Sequence, residues 1–127
     1  MEWISQNTPD STQFLVVSGV GWAIDRSAEW FPVLADRRSV LTVQGTEWLP
    51  RGAFTAADKA QEELNHCVHQ NVDCLTSWAE EFGVGYSHIY VAGDCCADLR
   101  ASLSRDSSFQ VIYENAGASI FARAPLP

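Results

Sequence analysis

Short runs with strand character alternate along this chain with segments of helical period, and that alternation constrains the fold more than any other feature. Residues 13–17, QFLVV, are rich in β-formers and lie between a turn-like TPDST and glycines. Residues 39–43 and 88–91 repeat the pattern. Between them Ala57, Ala60, Leu64, Cys67 and Val68 recur at helical spacing, leaving Asp58, Lys59, Glu62 and Glu63 outward. Thr55 followed by Asp58 predicts a capped start for this helix. Asp73 is the expected N-cap of a second helix, with Leu75, Trp78, Ala79 and Phe82 on one stripe and Gly83 ending it.

Further on, Gly93-Asp94 turns into a helix that places Cys96, Leu99 and Leu103 on one face. Residues 109–113 and 118–122 read as strands joined by the hairpin turn Glu114-Asn115-Ala116-Gly117. Strands that alternate with helices pair in parallel through right-handed crossovers. The expected fold is therefore α/β: a mainly parallel, three-layer, Rossmann-like sheet of about five strands with a C-terminal antiparallel hairpin. At 127 residues the chain is one domain, with residues 1–12 as a lead-in that Thr8-Pro9 closes.

Charge narrows the partners. Eight basic residues face sixteen acidic ones, for a net charge of -8. Phosphate contacts need a basic surface, so nucleic acid is excluded as a partner, and an anionic membrane surface is disfavoured. No run approaches the roughly 18 apolar residues of a membrane span. The first nine residues, MEWISQNTP, have neither the basic start nor the apolar centre of a signal peptide.

No motif of high specificity carries chemistry. Gly19-Val20-Gly21 follows a strand, but Ile24 stands where a dinucleotide fingerprint needs its third glycine, so no cofactor is expected. Asp94-Cys95-Cys96 follows a strand and opens a helix, a setting that can activate a thiol. A phosphatase loop would need five residues between cysteine and arginine; Cys95 and Arg100 have four between them, with no glycines. His66, Cys67, His69 and Cys74 contain neither C-x-x-C nor H-x-x-x-H, which speaks against zinc.

Four cysteines, Cys67, Cys74, Cys95 and Cys96, permit two disulfides in three connectivities; a cytosolic home would instead favour free thiols. Cys67 and Cys74 flank a helix break, where a disulfide would staple two helices. Residues 28–49, AEWFPVLADRRSVLTVQGTEWL, concentrate the remaining candidates. Glu29, Asp36 and Glu47 have no catalytic partner in the sequence. Arg37 and Arg38 could grip a phosphate or carboxylate or form surface ion pairs. Trp22, Trp30 and Trp48 offer faces for sugar rings or lids over the core.

Three stretches carry a family likeness. MEWISQNTPDSTQFLVV, AEWFPVLADRRSVLTVQGTEWL and FQVIYENAGASIFAR resemble the C-terminal soluble portion of bacterial polytopic membrane glycosyltransferases. These are relatives of the dolichyl-phosphate-mannose-dependent and aminoarabinose transferases. The matched positions are Glu29, Trp30, Phe31, Pro32, Arg38, Gly45, Glu47 and Trp48. The resemblance implies an extracytoplasmic domain of a longer membrane protein, in an oxidising compartment where disulfides form. It implies a polyprenyl-phosphate sugar donor for the parent chain and a catalytic carboxylate in a region absent here, so the fragment alone should not transfer sugar.

On that reading Trp22, Glu29, Trp30, Arg37, Arg38, Glu47 and Trp48 form a face that docks on the membrane-embedded part of the parent chain, or helps hold a lipid-linked sugar or carbohydrate acceptor. The rival reading is a free-standing α/β enzyme that uses Cys95 or Cys96 at a helix N-terminus. A plain protein-interaction module is a third.

Overall fold

Four consecutive apolar residues, Phe14 to Val17, are buried in strand β1 (Gln13–Val17), which therefore needs cover on both faces. In the computed structural model, which describes residues 1–44, 46–50, 52–93 and 95–124 and only the backbone of Glu47, two groups of helices supply that cover. Leu15 and Val17 point to α3 (Ala53–Cys67), α4 (Val72–Phe82) and α5 (Ala97–Arg105). Phe14 and Val16 point to α1 (Glu2–Asn7) and α2 (Arg26–Ala35). The period-2 alternation of a strand thus divides the core into two clusters.

The sheet has five strands in the order β2-β1-β3-β5-β4, with β2 at Arg38–Ser39, β3 at His88–Ala92, β4 at Phe109–Asn115 and β5 at Ala118–Arg123. Only β2-β1-β3 is parallel, and both of its ladders are short. The longer ladders are antiparallel: β3 runs against β5, and β5 against β4. This corrects the expected mainly parallel, Rossmann-like sheet.

The reason lies in the hairpin. Ala118 to Ala122 are all buried, so β5 requires a strand on each edge, whereas β4 is largely exposed and suits the rim. β5 therefore inserts between β3 and β4 rather than extending the edge. β4 runs in the direction of β3 but never pairs with it.

Other local expectations shift for physical reasons. The strand expected over residues 39–43 shrinks to Arg38–Ser39. Val40 N–H still donates to Phe14 O at 2.9 Å, but Ser39 Oγ then bonds Leu41 O at 3.1 Å and the chain leaves the sheet. Helix α3 begins at Ala53 behind Gly52 (φ 74), with no side-chain cap, so the Thr55 start is two residues late. Asn71, not Asp73, caps α4: its side chain accepts from Cys74 N–H at 3.1 Å, and Asp73 sits in the first turn. Gly83 ends α4 in the left-handed conformation, as its sequence position predicts. Gly45, Asp94 and the tail 125–127 lie outside the described residues.

Candidate functional site

Helix α2 is apolar on two sides. Ala28, Phe31 and Ala35 are buried, with the Phe31 ring 5.2 Å from that of Phe14 and 5.3 Å from that of Tyr90. Trp30, Val33 and Leu34, at i, i+3 and i+4, occupy the opposite arc and are 50%, 71% and 57% exposed. Pro32 sits inside the helix, where it cannot donate the backbone bond of an interior position. Among the described residues, the large exposed apolar side chains are Val20, Ile24, Trp30, Val33, Leu34, Trp48, Leu49 and Val111. All but Val111 fall between positions 20 and 49, and water gains nothing from such a concentration.

The docking candidates read from the sequence are only partly brought together. Glu29 and Trp30 are exposed on α2, and Arg38 is exposed on the edge strand β2. Trp48 is 85% exposed in a short turn that contacts α3. The side chain of Glu47 lies outside the described residues. Trp22 is half-buried, edge-on to Phe54 with 5.3 Å between ring centroids, and its carbonyl accepts from Gln44 Nε2 at 2.8 Å.

Arg37 does not belong to that face. Its side chain is buried, donating from Nε to Thr8 Oγ1 at 3.0 Å and from Nη2 to Ser5 O at 2.9 Å. Nη2 also reaches Thr8 O, and Nη1 donates to Asp36 O. The guanidinium locks α1 to the turn after α2, which is a structural task. Val33 and Leu34, missed in the sequence, were signalled by their spacing from Trp30 on a helix whose other arc is already apolar.

A second feature lies where the chain leaves the parallel strands. β1 exits to α2 on one face of the sheet, and β3 exits to α5 on the other, opening a crevice between their C-terminal ends. The cleft there measures about 410 Å³, and its lining includes Ser18, Val20, Asp25, Arg26, Gly93 and Cys95. Asp25 is buried; one carboxylate oxygen accepts from Ala28 N–H at 2.9 Å as the cap of α2, and the other accepts from Ser18 Oγ.

Neither Ser18 nor Asp25 stood out in the sequence, because Asp25 lacks the glutamate three residues on that completes a capping box. Gly19 (φ 74) presses on the cysteines: a Cβ there would lie 3.0 Å from Cys95 Sγ and 3.5 Å from Cys96 Sγ.

All four cysteines are paired. Cys67 and Cys74 are at disulfide distance with Cα atoms 5.5 Å apart, stapling α3 to α4, and the sulfurs of Cys95 and Cys96 meet at the start of α5. Among the described residues, no group of three His, Cys, Asp or Glu side chains is placed to hold a metal ion. Nor is any described helix long and apolar enough to cross a membrane.

No protein-family model, curated protein or solved structure matches the chain.

Proposed function

We propose that the domain is an accessory docking module, non-catalytic in sugar transfer, whose α2 face seats on the membrane-embedded part of its own parent chain, a glycosyltransferase using a polyprenyl-phosphate sugar. The observation that carries this reading is the unpartnered apolar arc of Trp30, Val33 and Leu34, inside the stretch that bears the family resemblance. Burying a large apolar side chain contributes roughly 1.5–3 kcal/mol, so three of them can hold a domain against an apolar protein surface. A net charge of -8 favours such a protein surface over an anionic bilayer. The location that follows is the extracytoplasmic face of the cell membrane.

Two measurements test the proposal. Sequencing the gene upstream of Met1 should show the reading frame continuing into many apolar spans; a promoter and stop codon directly before Met1 would overturn it. In the full chain, a photo-crosslinking residue at exposed position 29, beside the arc, should couple to a membrane span, and adding W30S/V33S/L34S to the same chain should abolish that coupling. Crosslinks that survive the triple variant unchanged would move the contact elsewhere.

A further inference from the structure

From the cleft between the ends of β1 and β3, we infer that Cys95 and Cys96 form a redox-exchangeable pair that oxidises a dithiol. The inference is independent of the docking face. Two observations place the pair in a reactive setting. Cys95 lines the cleft of about 410 Å³ and is partly exposed, whereas Cys96 is buried and does not line it, so an incoming thiolate meets Cys95 first. Cys96 occupies the N-cap of the nine-residue helix α5, and the positive end of a helix favours thiolate on the residue whose sulfur must leave.

The surroundings hold the pair in place without covering it. Arg100 Nη2 donates to Gly93 O at 2.5 Å and to Ala92 O at 3.4 Å, and Cys95 N–H donates to Ala92 O at 3.1 Å. Gly19 packs on the two sulfurs from the β1 side, where the absence of a Cβ leaves them room. Exposed Val20 and Ile24 form an apolar rim to the same cleft.

The exchange balances. A substrate thiolate attacks Cys95 Sγ, the Cys95–Cys96 bond breaks, and its electron pair, followed by a proton, goes to Cys96 Sγ. The second substrate thiol then attacks the substrate sulfur of the mixed disulfide and releases Cys95, which takes a proton. The substrate leaves as a disulfide oxidised by two electrons, and the protein pair is left as two thiols.

The second pair has a different task. The Cys67–Cys74 link is separated by seven positions and joins two helices, so it constrains the unfolded chain; the Cys95–Cys96 link encloses no intervening residue and does so hardly at all. The fold therefore resists opening of the first much more than opening of the second.

The test is to equilibrate the folded wild-type protein in glutathione buffers of varied reduced-to-oxidised ratio. The samples are quenched in acid, alkylated with a heavy maleimide, and each cysteine peptide is weighed. The Cys95–Cys96 peptide should interconvert reversibly, opening at a ratio roughly tenfold or more below that needed for Cys67–Cys74. The C96S variant, with glutathione disulfide, should hold glutathione on Cys95, and the C95S variant should hold much less on Cys96. Joint opening of the two pairs, failure of the Cys95–Cys96 pair to reclose, or equal labelling in the two variants would each overturn the inference. The wild-type titration decides the matter even where a variant fails to fold.

Discussion

Ser18 Oγ donates a hydrogen bond to Asp25 Oδ2 across seven positions, tying the residue that follows β1 to the cap of α2. Because Asp25 is 3% exposed, both of its acceptor oxygens are committed to protein donors. Replacing it by alanine leaves the Ala28 N–H uncapped and Ser18 without its acceptor. D25A should lose about 2 kcal/mol, with D25N losing less because an amide oxygen still caps the helix. Urea denaturation of the two variants checks this; equal losses would show that the capping oxygen contributes nothing.

Arg37 should matter for folding, not for docking. R37A strands the acceptors of Thr8 and Ser5 in a buried site and should cost about 3 kcal/mol, with R37K recovering only part of it. Asp10 lies 3.5 Å from the guanidinium but is fully exposed, so D10A should change stability little. Hydrogen exchange should show α1 losing protection first in R37A. Unchanged protection of Glu2–Asn7 would remove the arginine from its bracing role.

The α2 arc predicts the opposite behaviour. Because Trp30, Val33 and Leu34 are exposed, V33S and L34S should each move folding stability by no more than about 0.5 kcal/mol. Self-association of the isolated domain at high concentration should fall in the triple serine variant, as sedimentation can measure. A large loss of stability in either single variant would mean that the arc is already packed.

Stapling α3 to α4 should be worth about 2–3 kcal/mol for a link of this separation. The C67A/C74A variant should lose that amount in denaturant, with a further loss from the cavity left at the buried Cys67. A variant as stable as the wild type would show that the α3–α4 packing needs no link.

Stability should decline below neutral pH through His88. Burial holds its imidazole below the ordinary value; its Nδ1 lies 2.8 Å from Ser87 Oγ, and its ring is 5.1 Å from that of Phe14. The unfolded chain takes up the proton at higher pH than the folded one. The contribution of the neutral ring is therefore complete above about 6.5 and is lost as pH falls toward the lower folded value. Denaturation midpoints measured from pH 7.5 to 5 should fall more steeply for wild type than for H88Q; parallel curves would exclude His88.

The sequence by itself determined the elements whose signals are local. Residues 13–17 form a strand because β-formers lie between turn residues, and Gly83 ends α4 because it alone takes the left-handed conformation there cheaply. The stripes of α3 and α4, the hairpin at Asn115 and Gly117, and the Cys67–Cys74 staple were legible for the same reason.

Tertiary structure decided what depends on competition for partners. Whether the last hairpin extends the sheet edge or inserts β5 beside β3 is settled by which strand is buried on both faces, and no short-range pattern shows that. The same holds for residues 28–49. Arg37 and Arg38 are neighbours in sequence, yet one is buried among carbonyls and the other faces outward, and Trp22 packs on Phe54 while Trp30 stays bare. Residue type limits what each side chain can do; the packing of α1, α2 and α3 around β1 chose which of them remained free to meet something else.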